Sequence, residues 1–212
     1  MDLVHPQIQL YAEAISSKEN DLLNEVHQFT LQNHTESQML SGHLQGKFLE
    51  MISCMIQPKR ILEIGTFTGY SALCLAKGLQ EGGELHTIEL REKDAETAQN
   101  YFSKSEYTSK IKLHQGNARE IIPVLKEDWD LVFIDADKPG YIDYFNLVLP
   151  RVKKNGFILA DNIFFHGQVI EEPVTGKNAK AIKAFNEFIS ARTDIEKVAI
   201  TLRDGLYLIK KL

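Results

Sequence analysis

The chain has 212 residues, 43% hydrophobic and 25% charged, the balance of an ordinary globular protein and not of a disordered or fibrous one. Against 24 Lys+Arg stand 29 Asp+Glu, and the net charge of −5 is the opposite of the basic footprint of a phosphate-backbone binder. Cys54 and Cys74 lie in apolar stretches without metal-type spacing and are expected to be reduced, buried thiols. The start MDLVHPQIQLYAEA lacks the basic end and apolar core of a signal peptide, and no stretch reaches ~18 continuous apolar residues, so a cytoplasmic protein without a membrane span is expected.

The length suits one α/β domain over 1–212, divided into a helical cover (1–57) and a core (58–212). Ser17 to Asn20 can start one helix. Gln38 to Gln57 reads as another, with Met39, Leu40, Leu44, Phe48, Met51, Ile52 and Met55 as its buried stripe and Pro58 ending it. From Arg60 short apolar runs alternate with amphipathic stretches, the pattern of βαβ units on a parallel sheet. Strands are predicted near 60–65, 84–89, 111–115, 130–135, 155–160, 195–201 and 205–210, and helices over 69–80, 92–106, 117–127, 140–150 and 177–192. The Asp204-Gly205 turn makes the last two strands an antiparallel hairpin. The segment Ile163 to Asn178 has no clear periodicity, and a long loop in a compact domain is more often functional than idle.

The first motif, Ile61-Leu62-Glu63-Ile64-Gly65-Thr66-Phe67-Thr68-Gly69-Tyr70-Ser71, is a buried strand, a glycine-marked turn and a helix start. Glycines let backbone pass close to a ligand, and a helix N-terminus offers free N–H groups. Phe67 stands where the dinucleotide fingerprint requires its second glycine, so a pyrophosphate is not expected. Glu63 would repel phosphate but suits a cationic or hydroxyl-rich ligand. Glu89, twenty-six residues later at the end of the second strand, can take both hydroxyls of an adenosine ribose. The pair favours an adenosyl ligand; the plainer alternative is a tight turn followed by a solvated strand end.

The second motif is Asp130-Leu131-Val132-Phe133-Ile134-Asp135-Ala136-Asp137-Lys138, echoed by Phe157-Ile158-Leu159-Ala160-Asp161-Asn162. If these strands are neighbours, Asp135, Asp161 and Asn162 converge at the carboxyl edge where open α/β sheets bind ligands. An all-oxygen set suits Mg²⁺, Ca²⁺ or Mn²⁺ and not zinc. The alternative is that each acid caps a following helix.

Taken together, EIGTFTGYS, Glu89, FIDADKPGY and LADN resemble the cation-dependent O-methyltransferases of the caffeoyl-CoA and catechol O-methyltransferase family, which use S-adenosyl-L-methionine; the likeness is collinear from about Met39 onward. The resemblance implies a Rossmann-like seven-stranded α/β methyltransferase sheet, mostly parallel with a C-terminal antiparallel hairpin, preceded by N-terminal helices that contribute to a homodimer interface. It places Met39 and Ser41 over the methionine end of the cofactor, with Ser41 standing where Thr is common. Glu63, Gly65 and Ser71 match residues that hold the methionine moiety, Glu89 the ribose and Ala118 the adenine edge, and Asp137 and Tyr144 match further cofactor contacts. Asp135 matches a metal ligand that also faces the cofactor, Asp161 and Asn162 the other metal ligands, and Lys138 the lysine that handles the acceptor proton, as base or as cationic stabiliser.

A small ortho-dihydroxy aromatic is the expected acceptor, because no basic cluster matches the loops that grip coenzyme A in plant members. Phe164, Phe165, His166, Tyr141 and the 163–178 loop are expected to form an aromatic slot and lid. Two other readings stay open: methylation of hydroxyuridine in tRNA, against which the acidic charge stands, and a non-catalytic adenosyl-ligand-binding module.

Overall fold

A computed structural model describes residues 4–212; the part of the expected helical cover that falls on residues 1–3 lies outside them. One sheet is formed by β1 (Arg60–Ile64), β2 (Glu84–Glu89), β3 (Ile111–Gln115), β4 (Trp129–Ile134), β5 (Val152–Asp161), β6 (Ile195–Ile200) and β7 (Leu206–Lys211), in the order β3-β2-β1-β4-β5-β7-β6. β1 to β5 run parallel, and β7 inserts antiparallel between β5 and β6. Ile61, Leu62, Ile64 and all of Leu131 to Ile134 are buried, as continuous apolar strands covered on both faces must be.

The helices are α1 (Pro6–Ile15), α2 (Asp21–Asn33), α3 (Gly42–Ile56), α4 (Tyr70–Ala76), α5 (Glu92–Lys104), α6 (Ala118–Ile121), α7 (Tyr141–Val148) and α8 (Lys177–Ser190). Side chains of α2 to α5 pack on one face of the sheet, and those of α6 to α8 on the other. The strand order reverses at β1 and β4, so the crevice beyond their carboxyl ends is the place where such a sheet takes ligands. Ile134 pairs with Ala160, which sets the next residues, Asp135 and Asp161, side by side at that edge.

Several expectations need correction. The helix predicted from Gln38 begins at Gly42, after a 3-10 turn over Ser37–Met39. Its inner face is Gln45, Gly46, Leu49, Glu50 and Ser53, while Met51 and Met55 point outward at 58% and 77% exposure. The reason is close backbone approach: a Cβ on Gly46 would lie 2.5 Å from the Tyr70 ring, and one on Gly78 would lie 2.1 Å from Ser53, so small residues and not methionines face α4. α4 stops at Ala76 and does not run to residue 80, with Gly78 packed against Ser53 just beyond its end. Cys54 shares the outward face of α3 and is exposed, contrary to expectation; Cys74 is buried, and both are free. α1 has no buried residue, so no apolar stripe marked it separately from the rest of the cover. The start at Ser17–Asn20 is met by Asn20, whose Oδ1 accepts from the Leu23 N–H at 2.8 Å.

Candidate active site

At the end of β1 the chain makes its glycine turn against β4. Gly65 has φ +99°, and a Cβ there would stand 1.9 Å from the Asp135 carbonyl oxygen, so only glycine fits. Gly69, at φ +91°, opens α4. Glu63 is fully buried; its Oε2 accepts from the Thr87 hydroxyl, and its Oε1 has no partner among the described residues. Burial above all pushes the Glu63 pKa up to about 8; the Ser71 and Thr87 hydroxyls oppose the rise, and the charges of Asp135 and Glu89 add to it.

Glu89 is 6% exposed, so it is not a solvated strand end. It accepts from the N–H groups of Thr66 at 3.2 Å, Phe67 at 2.8 Å and Arg91 at 2.9 Å, tying the end of β2 to the turn. The turn is roofed by α2: Thr30 and Thr68 share a hydroxyl hydrogen bond of 2.9 Å, and the His34 ring meets Phe67 edge-on at 4.5 Å.

A second group gathers beyond β4. Tyr144, 3% exposed, donates its hydroxyl to Asp137. The Arg119 guanidinium lies 5.1 Å from the Tyr144 ring centre and 3.7 Å from Asp137, which brings the buried Ala118 at the start of α6 to the same corner. Met39 is 37% exposed and Ser41 8%; both precede α3 on the other side of the crevice.

Between these groups sits an acid–amide–lysine cluster. The Lys138 ammonium donates to Asp135 Oδ1 at 3.1 Å, Tyr141 Oη at 2.8 Å and Asn162 Oδ1 at 2.7 Å, so each of its N–H bonds has an oxygen. Asp161 is fully buried, accepting from Gln45 Nε2 at 2.7 Å and from its neighbour's Asn162 N–H at 2.7 Å, with Arg203 Nη1 at 3.7 Å. Burial and then the negative charge of Asp135 push the Asp161 pKa up to about 6, against the pull of Arg203, Lys138 and Gln45. Asp135, Asp161 and Asn162 are therefore brought together as their spacing predicts. No group of three or more His, Cys, Asp or Glu side chains among the described residues is placed to hold a metal ion, so a cation set here stands on two carboxylates and one amide oxygen.

The sequence reading passed over some of the residues that shape this site. Gln45 and Arg203 meet at Asp161 from segments far apart in the chain. Asp204, read only as part of a turn, accepts from the His166 N–H at 2.6 Å and so anchors the loop that follows Asn162. The available signal was the paired Asp204-Gly205, because Gly205 leaves no room for a Cβ, which would fall 2.2 Å from the Phe164 ring.

Tyr141 needs correction as part of an aromatic slot: its ring is fully buried on Phe185 at 5.3 Å, and only its hydroxyl reaches the site, donating to the Asp161 carbonyl at 3.0 Å. Phe164 packs under the hairpin and Phe165 against the core, while His166 is exposed. The 163–178 segment is less irregular than expected, with 3-10 turns over Phe165–Ile170.

A mostly parallel sheet whose switch point carries a glycine turn beside a buried carboxylate is a Rossmann-like fold, and its structural relatives make it that of a methyltransferase. The model of the O-methyltransferase family matches residues 13–212, and the chain belongs to that family as an S-adenosylmethionine-dependent O-methyltransferase. It is 35% identical over 162 residues to a catechol O-methyltransferase of Niastella koreensis, covering 74% of this chain and 73% of that one. Over 208 residues it is 31% identical to a probable caffeoyl-CoA O-methyltransferase of Dictyostelium discoideum, covering 95% of this chain and 90% of that one. Among solved structures it is similar to the O-methyltransferase TomG of Streptomyces achromogenes in complex with SAM, at TM-score 0.89 and 28% identity over 97% of this chain and 96% of that one. The SAH-bound methyltransferase PaMTH1 of Podospora anserina is alike at TM-score 0.89 and 29% identity, over 97% and 94% of the two chains.

Proposed function

We propose that the protein transfers a methyl group from S-adenosylmethionine to one hydroxyl of a small ortho-dihydroxy aromatic, with a divalent cation, Mg²⁺ or a similar hard ion, at Asp135, Asp161 and Asn162. The carrying observation is the oxygen set around the Lys138 ammonium, with Asn162 Oδ1 and Asp135 Oδ1 within 3.1 Å of one cationic nitrogen. Oxygens that converge on one ammonium, beside the buried Asp161 carboxyl whose pKa burial and then the charge of Asp135 raise, have the chemistry of a hard-cation site. A divalent ion held there would supply Lewis acidity that favours the ionised form of a phenol whose ordinary pKa is about 10. The names of the catechol and caffeoyl-CoA relatives support an aromatic acceptor.

The cofactor residues fit a sulfonium and an adenosine. Glu63 leaves a buried carboxylate oxygen without a partner beside the glycine turn, and Glu89 closes β2 next to it. In this reading Gly65, Ser71, Met39 and Ser41 hold the methionine end, Ala118 meets the adenine edge, and Asp137 and Tyr144 complete the cradle. The chain's contribution is to align the acceptor oxygen with the S–CH₃ bond, where correct positioning is worth ~7–11 kcal/mol. Lys138 meets the proton or the negative charge of the acceptor oxygen, and Tyr141 fixes where its ammonium stands.

A homodimer belongs to the same reading, supported by α1, which turns Ile8, Leu10, Tyr11 and Ile15 outward at 59–68% exposure. So does a cytoplasmic setting: both cysteines are free, and among the described residues no helix is long and apolar enough to cross a membrane.

The test is methylation of a catechol panel with and without EDTA. Activity lost in EDTA and restored by Mg²⁺ is expected; full activity in EDTA overturns the cation. Asp161→Ala is expected to cost about 10²–10³-fold in turnover and to leave cofactor affinity by calorimetry within a few-fold.

A further inference from the structure

Beside Asp161 a cavity of about 250 Å³ opens between the start of α3, α1 and the β6–β7 hairpin, lined in part by Gln9, Glu13, His27, Ser41, Gln45 and Arg203. Most of its polar groups are satisfied within the protein. Glu13 accepts from Gln9 at 2.9 Å, and His27 pairs with Glu19 at 3.0 Å. Two buried atoms lack a hydrogen bond among the described residues: Gln45 Oε1, and Arg203 Nη1, which stands in ion-pair range of Asp161 Oδ2 at 3.7 Å but too far to donate to it.

Neither side chain is free to turn away and satisfy them. Gln45 is 1% exposed, and its Nε2 is committed to Asp161 Oδ2, which leaves its buried Oε1 as an acceptor without a partner. The other arm of the Arg203 guanidinium donates to the Gln38 carbonyl at 2.6 Å, and its backbone is held in the left-handed region at φ +51°. A non-glycine residue at such a φ is costly and persists where its surroundings over-determine it. A buried donor and a buried acceptor without hydrogen-bond partners are unfavourable, and a ligand group that satisfies both recovers the loss.

Resting on the catechol reading, we propose that Arg203 and Gln45 form a hydroxyl-reading subsite, selecting acceptors that carry a further neutral hydroxyl besides the vicinal pair. A hydroxyl can accept from Arg203 Nη1 and donate to Gln45 Oε1 at once. A carboxylate has no hydrogen to give Gln45 Oε1, and an ammonium has no lone pair with which to accept from Arg203 Nη1. Sites built to hydrogen-bond a substrate hydroxyl reject analogues lacking it, because the site's own groups are then left unpaired.

The experiment compares kcat/KM for four catechols of similar size bearing hydroxymethyl, methyl, carboxylate or aminomethyl at the same ring position. The wild-type enzyme is expected to prefer hydroxymethyl over the other three by about tenfold or more, with the gain mainly in KM, and Arg203→Met is expected to bring the hydroxymethyl-to-methyl ratio close to one. Because the ratio is taken within each enzyme, a general loss of activity in the variant cancels. Equal use of the four by the wild type, or a preference that survives Arg203→Met, overturns the subsite and leaves the catechol reading standing. Methylation of none of the four overturns the catechol reading and the subsite with it.

Discussion

At the carboxyl ends of β1 and β2, Glu89 is held by the N–H groups of Thr66 and Phe67 in the adjacent turn and of Arg91 just after β2, and Glu63 by Thr87 on the neighbouring strand. On the far side of β4 the corresponding acid, Asp161, is held by Gln45 from 116 residues upstream and faces Arg203, which itself reaches back 165 residues to Gln38. The first half is a local construction in which backbone does most of the holding. The second is assembled by tertiary packing from three distant segments. A site that takes one cofactor benefits from the first kind of building, and a site that must be tuned to an acceptor benefits from the second, where one substitution changes selectivity without disturbing the sheet.

The sharpest way to break the cofactor half is Gly65→Ala. Its Cβ would collide with the Asp135 carbonyl at 1.9 Å, on a backbone at φ +99°, so the turn must shift. Cofactor binding by calorimetry is expected to be lost, and the thermal midpoint to fall by several degrees, at ~2–4 °C per kcal/mol for a chain of this size. Retained binding would show that the turn is not the cofactor's seat.

Tyr141→Phe tests the joint between the halves. It removes the bridge from Lys138 to the Asp161 carbonyl and leaves the ring packed on Phe185. A fall of about tenfold in kcat, with KM for the acceptor little changed and a stability loss of ~1 kcal/mol, is expected. An unchanged kcat and pH profile would make the residue a core tyrosine only.

The last effect is a slope. Glu63, raised to about 8 in the folded chain, binds its proton more tightly there than in the unfolded one. The stability this contributes is full below the ordinary carboxylate pKa and is lost as pH rises from about 4.5 towards 8. Ligand-free protein should therefore lose stability across that window, and Glu63→Gln should flatten the decline and raise the midpoint at pH 8 relative to wild type. A parallel pH curve for the variant would remove Glu63 as its source.

Much of the first half was legible in the sequence because its parts are contiguous. A buried run, Glu63, Gly65 and Gly69 appear in reading order, and the terminal acids Asp135 and Asp161 become neighbours once two apolar strands are paired. The second half was hidden for physical reasons. Gln45 lies in a helix whose inner face is made by small and polar residues, so the methionines at 51 and 55 pointed the periodicity the wrong way. Arg203 has no motif, and its role comes from the hairpin that folds it back over Asp161. Tyr141 looked like a pocket aromatic because its ring, buried on Phe185, leaves only an oxygen in the site.

The sheet order has a consequence for how the protein is made. β5, which ends in Asp161, has β4 on one side from the time both have emerged, but its other neighbour is β7, which follows every other strand in the chain. On a ribosome, β1 to β4 and their glycine turn can assemble while β5 still shows an unpaired edge, a template for pairing with other chains. The hairpin that covers this edge also delivers Arg203 and Asp204. A nascent chain thus completes the β1–β4 side of the crevice first, and the step that shields β5 from aggregation is the same one that brings Arg203 to Asp161.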